Sequence, residues 1–131
     1  MTLIELVKNH IEQNIKSINL LFGDNLFINT YPDKSDTIVS LIDMGGYPPP
    51  VYTPTREKII EFKFRASNYI AGKKLGNELF NLFHDKENYY INENRIMHSY
   101  ARTDVSYLYK DQNEREEFSL EVVFLIENKR K

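Results

Sequence analysis

Between Met44 and Arg56 the chain carries Gly45, Gly46, Pro48, Pro49, Pro50 and Pro54, interrupted by Tyr47, Val51 and Tyr52. Proline has no amide hydrogen to donate and glycine weakens any regular element, so neither a helix nor a central strand is expected here. The three consecutive prolines favour an extended, stiff path instead. A stiff segment loses little entropy on docking, which makes this loop, with Tyr47 and Tyr52 at its apolar points, a candidate contact with a neighbouring molecule. The core must then come from the sequence on either side. At 131 residues the chain fits one domain, residues 1–131, large enough to fold without staples.

On the amino-terminal side, Leu3, Leu6, Val7, Ile11, Ile15, Ile18 and Phe22 recur at helical spacing. They predict an amphipathic helix from Thr2 to about Leu21. Thr2 and Glu5 have capping-box spacing, and Gly23 suits a carboxy-terminal stop. Leu26-Phe27-Ile28 reads as a short strand, Tyr31 to Asp36 as a turn-rich connection, and Thr37 to Asp43 as a second strand. The second strand is apolar on both faces, which suits a central position or an outer face that meets a partner.

On the carboxy-terminal side, Lys58 to Ala66 alternates. Ile60, Phe62, Phe64 and Ala66 point to a core, while Glu61, Lys63 and Arg65 point to water or a polar interface. Ser67 is a plausible N-cap for a second helix to about His84, with Ala71, Leu75, Leu79, Leu82 and Phe83 inward. Gly72 and Gly76 lie one turn apart and each costs about 1 kcal/mol relative to alanine, which points to close backbone approach. Strands follow at Ile96 to Ala101, Val105 to Tyr109 and Glu117 to Glu127, with a polar hairpin tip at Asp111 to Glu114. Val123 and Leu125 leave the outer face of the last strand partly apolar. The sum is an α+β fold: about six strands, mostly antiparallel, with two helices on one face, in the order α-β-β-β-α-β-β-β.

Composition narrows the function classes. There is no cysteine, so disulfides and thiolate metal sites are excluded. A net charge of −2, with basic residues clustered only at Lys129-Arg130-Lys131, argues against a dedicated nucleic-acid binder. No apolar run is long enough to span a bilayer, and Met1 to Glu5 has no basic stretch, so neither a membrane partner nor a signal peptide is expected. None of His10, His84 and His98 has a second histidine or a cysteine at ligand spacing, so no metal or cofactor is expected. His98 and Ser99 are strand neighbours that point to opposite faces, not members of a triad. Asp33, Asp36 and Asp43 read as turn and strand-end residues. Gly45-Gly46 lacks the lysine and helix of a phosphate loop. No catalytic residue emerges.

A particular order remains: an opening helix, an extended stretch at Tyr31-Pro32, then Ile42-Asp43-Met44-Gly45-Gly46-Tyr47-Pro48-Pro49, a charge-alternating strand, the helix with Ala71, Leu79 and Phe83, and a charged hairpin before Phe118-Ser119-Leu120. This order resembles the minor capsid and tail-terminator family of long-tailed phages. The resemblance spans nearly the whole chain and is carried chiefly by the strand-Asp-x-Gly-Gly-Tyr-Pro-Pro segment, from which Pro50 and the Tyr52-x-Pro54 extension depart. It implies a non-catalytic virion protein at the neck or tail end, assembled in the bacterial host cytoplasm. It also implies a homo-oligomeric ring, typically hexameric, that ends the tail tube and joins the head connector or stopper. DNA would pass through its lumen without specific binding. Gly45, Gly46, Tyr47, Pro48, Pro49, Tyr52, Glu61, Lys63, Arg65, Val123 and Leu125 are the expected interface residues. Another neck component, such as a head-completion or stopper protein, is the nearest alternative. A small nucleic-acid binder stacking bases on Tyr89, Tyr90, Tyr100, Tyr107 and Tyr109 is a further one, and a hydrolase built on Asp33, Asp36 and Asp43 the last.

Overall fold

The computed structural model describes residues 1–48 and 55–127. The element order is α1 (Leu3–Asn14), β1 (Leu26–Ile28), β2 (Ile38–Tyr47), β3 (Thr55–Ala66), α2 (Tyr69–Phe83), β4 (Lys86–Ile91), β5 (Asn94–Ala101), β6 (Ser106–Lys110) and β7 (Glu116–Glu127). The strands form one seven-stranded sheet in the order β1-β2-β3-β7-β5-β4, with β6 also paired to β7. Every pairing is antiparallel except β1 with β2. The fold is α+β as expected. Pro49, Tyr52 and the basic tail, Lys129 to Lys131, lie outside the described residues.

Helix α1 opens on the expected capping box, with the Glu5 amide donating to the Thr2 hydroxyl and the Thr2 amide to Glu5 Oε1 at 3.0 Å. It ends at Asn14, a full two turns before the expected Leu21. There the Asn14 side-chain amide donates to the His10 carbonyl at 2.8 Å, and Ile15 turns extended. The apolar spacing continues past the helix because the following segment also lies against the core, through buried Ile15 and Leu20. Phe22, counted in the stripe, is exposed, with the Lys8 ammonium 4.7 Å from its ring centre. Gly23 caps no helix; it sits at φ +90° in the turn before β1.

Both helices pack on one sheet face, over a core of Leu6, Val7, Ile11, Phe62, Phe64, Leu79, Phe83, Phe118 and Phe124. The cap of α2 is Asn68, not Ser67: its Oδ1 accepts from the Ala71 amide at 2.8 Å. Ala71 faces outward and Gly72 inward. The two glycines do permit close approach. A Cβ on Gly72 would run into the Phe118 ring, and one on Gly76 would come within 2.9 Å of the Phe64 ring.

Strand β4 was not anticipated. Lys86, Glu87 and Asn88 carry no apolar alternation, and β4 is an edge strand held by β5 alone. Its hairpin turns at Asn92, which takes φ +56°, a conformation asparagine tolerates better than most residues. The second departure is the strand character of Met44–Tyr47, where glycines and a coming proline argued against one. The strand survives because it needs hydrogen bonds on one side only: β1 ends opposite Leu41, so this half of β2 pairs with β3 and leaves its other edge open.

Candidate functional site

The open half of β2 is shaped by Asp43. Its Oδ1 accepts from the Gly45 amide at 2.8 Å, while its own amide donates to Asn29 Oδ1 at 2.8 Å. The register with β3 slips between Asp43 and Gly46, which is a β-bulge. Gly45 has φ +78° and Gly46 φ +151°, both in the region open chiefly to glycine. A Cβ on Gly46 would also strike the Glu57 carbonyl. The Asp-x-Gly-Gly-Tyr sequence is therefore a bulge motif, and the bulge turns Met44 and Tyr47 outward at 47% and 64% exposure. Beside it, a cleft of about 290 Å³ separates the start of α1 from the sheet, lined by Leu3, Ile4, Arg56, Lys58 and Ile126 among others.

A second exposed surface lies at the other end of the sheet. β6 pairs with β7 along one edge only, and all five of its residues are exposed. Tyr107, Leu108 and Tyr109 stand there, with Tyr69 and Ile70 of α2 also exposed. Tyr69 and Tyr107 touch edge-on at 5.7 Å, and both rest on Phe118. An open, aromatic strand edge with so little charge on it is a surface that proteins ordinarily cover. From sequence, Tyr107 and Tyr109 suggest a strand and a base-stacking surface. The missing signal was that Tyr69 and Ile70, distant in sequence, join them.

The charge-alternating face of β3 divides by depth. Glu61 is half-buried and accepts from the Ser119 hydroxyl at 2.7 Å; Lys63 is half-buried, 4.8 Å from the Tyr31 ring centre. Arg65 is different. It is 2% exposed and donates to the Pro32 carbonyl at 2.8 Å and to the Ser35 carbonyl at 3.0 and 2.8 Å. Its Nε and Nη2 donors fasten the β1–β2 crossover over the outer face, which leaves little of this side chain for a neighbour. Val123 is likewise buried, at 4%, and only Leu125 keeps partial exposure. The crossover also places Tyr31 so that its hydroxyl donates to Glu117 at 2.5 Å. Burial, then that bond, pushes the Tyr31 phenol well above its usual range, and burial pushes the Glu117 carboxyl up.

Arg115 completes this lock by donating to Asp33, to the Ser35 carbonyl at 3.3 Å and to Asp111 Oδ2 at 2.9 Å. Asp111 also accepts from the Asn113 and Arg115 amides, each at 2.9 Å. Desolvation works to raise its carboxyl, but the Arg115 amide, Glu117, the Asn113 amide and the Arg115 guanidinium outweigh it and bring it down to about 2. A carboxylate held below its ordinary 3.8 gives stability that is full above that pH and is lost as pH falls toward about 2. The Asn113 and Arg115 amide resonances are expected to titrate with a midpoint near 2. A midpoint at the ordinary carboxyl value would mean that these bonds do not hold the hairpin tip.

The carboxylates weighed for hydrolysis do not converge. Asp33 lies in the crossover beside Arg65, whereas Asp43 lies opposite Ile60, five β3 positions away, which is roughly 17 Å of strand. The tyrosines weighed for stacking divide as well. Tyr89 turns inward and bonds Ser99 at 2.6 Å, while Tyr90 is exposed on the β4 edge, far along the sheet from Tyr107 and Tyr109. His10 packs against Phe83, and burial lowers its pKa. Among the described residues, no helix is long and apolar enough to cross a membrane.

An α+β sheet whose bulged β2 half and aromatic β6 edge stand open defines a class of protein that presents surfaces to other proteins. The chain belongs to the bacteriophage tail terminator protein family, whose model matches residues 10–128. It is accordingly a structural protein of the virion that terminates the phage tail and contacts other tail or head proteins. No curated protein matches. A solved structure shares the fold, with a TM-score of 0.58 and 8% identity over 97% of each chain.

Proposed function

We propose that this chain, acting as a single domain without catalytic activity, assembles head to tail into a closed ring, with six subunits as the expected number. The ring ends the tail tube and joins it to the head connector or stopper, in the neck of a virion assembled in the host cytoplasm. The observation that carries this reading is the placement of the two open edges. The bulged half of β2 flanks β3 beside its start, and β6 flanks β7 beside its start. Because β3 and β7 are antiparallel, those starts lie toward opposite ends: Tyr47 is level with Leu125 and Tyr107 with Phe118, roughly 23 Å apart along the strands. A head-to-tail ring needs two dissimilar patches on different sides of the subunit, and a suitable rotation closes it.

In this reading Gly45, Gly46, Tyr47 and Pro48 form one patch; Pro49 and Tyr52, outside the described residues, are proposed for the same contact. Tyr69, Ile70, Tyr107, Leu108 and Tyr109 form the other. Glu61, Lys63 and Leu125, on the remaining outer face, serve the tube or the connector. DNA passes through the lumen without specific binding. The near-neutral charge of −2 suits a passage that must not retain phosphate.

Electron microscopy of tail tubes grown with the purified protein tests this. Tubes of defined length with added density at one end are expected, and tubes of unlimited length with bare ends would sink it. Tyr47→Ala should weaken assembly at least tenfold in concentration, as loss of an interface aromatic does, while leaving thermal unfolding unchanged. Normal tube capping by that variant would remove the β2 edge from the interface.

A further inference from the structure

We propose that Asp85, Glu87 and His98 form a binding site for a divalent transition-metal ion of the Zn²⁺ type. The three side chains each offer one ligand atom, and these atoms all lie within 4.8 Å of one another. His98 Nε2 is 3.4 Å from Asp85 Oδ1. Glu87 and His98 are direct cross-strand partners in the β4–β5 hairpin, so their side chains leave the same face side by side. Asp85 reaches them from the turn after α2, where it takes φ +52°.

The donor set selects the ion. An imidazole with two carboxylates suits Zn²⁺ and its first-row neighbours, whereas Mg²⁺ and Ca²⁺ take oxygen ligands. Tetrahedral coordination at about 2.0–2.1 Å holds neighbouring donors about 3.4 Å apart. The His98–Asp85 pair already has that spacing, and Glu87 is exposed and free to close by rotamer change. Three protein donors leave a fourth position for water, as in open zinc sites. The site lies at the β4 edge, apart from the two surfaces assigned to ring contacts, so its failure and that of the ring reading are separable. Sequence spacing hides it, because Asp85 and Glu87 meet His98 only through strand pairing.

The test is calorimetric titration of the untagged chain with Zn²⁺ alone, beside Mg²⁺ and Ca²⁺. One Zn²⁺ per chain is expected, with much weaker binding of the other two, a rise in Tm, and a shift of the His98 ring resonances. His98→Ala and Asp85→Asn should each weaken binding at least tenfold, since even supporting residues around a metal are worth that much. His84→Gln should bind as the natural chain does. Absent binding, equal binding in the His98→Ala variant, equal preference for Mg²⁺, or Zn²⁺ uptake that leaves the His98 ring unshifted would each overturn the assignment.

Discussion

Arg65→Ala is expected to lower the unfolding free energy by about 3–5 kcal/mol, the range seen when one partner of a buried charge pair is removed. Three losses combine. The Pro32 and Ser35 carbonyls lose their donor. The Tyr31 ring loses the guanidinium 4.9 Å from its centre. Glu117, the cross-strand partner of Arg65 and only 2% exposed, loses its nearby positive charge. Lys63→Ala, two residues away on the same face but half-buried, should cost no more than about 1 kcal/mol, as exposed charges do. Adding Glu117→Gln to Arg65→Ala should recover part of the loss, because the stranded carboxylate goes with it. Urea unfolding of the three variants beside the natural chain measures all of this. If Arg65→Ala kept full stability while losing assembly, Arg65 would return to the interface where its strand alternation first placed it.

Phe118→Ala should cost about 3–5 kcal/mol, the usual range for deleting a buried aromatic ring. Calorimetry would register this as a fall in Tm on the order of 10–20 °C. Phe118 has no exposure, stacks on Phe64 at 5.4 Å and supports both Tyr69 and Tyr107. Its ring also fills the space over Gly72. Gly72→Ala should therefore be destabilising despite alanine's better helix propensity, by about 1–3 kcal/mol of overpacking. Combining Gly72→Ala with Phe118→Leu should cost less than the sum, since the two groups compete for one volume. Additive costs would mean that the ring does not meet the helix there.

The periodic elements were legible because periodicity records which side faces the core. Phe62 and Phe64 in β3, and Phe118, Leu120, Val122 and Phe124 in β7, are all unexposed, as alternation required. Gly72 and Gly76 announced close packing through their cost alone. What stayed hidden depends on pairing. β4 has a polar sequence and exists because β5 holds it; Arg65 looked solvent-facing until a distant loop crossed over it. Helix α1 was overextended because buried Ile15 and Leu20 serve an extended segment as well as a helix. At the candidate site, the Gly45-Gly46-Tyr47 signal marked a real surface, but its strand character could not be read without knowing that one edge would stay open. The facing patch at Tyr69, Ile70 and Tyr107 draws on α2 and β6 and has no contiguous signature.

The crossover lock sets an order of events in folding. Tyr31 and Glu117 are 86 positions apart, and Asp33 and Arg115 are 82 apart. Contacts so distant in the chain form late and slow the search, because loop closure must precede any reward. During synthesis, Tyr31 and Asp33 leave the ribosome long before Arg115 and Glu117, so until then the crossover is held from the sheet by Arg65 and Ser40. The aromatic strand edge at β6 is completed by β7. A chain halted before Arg115 would thus lack the Tyr31 and Asp33 part of its crossover fastening and the backing of one docking surface, so that full folding and readiness for assembly arrive together.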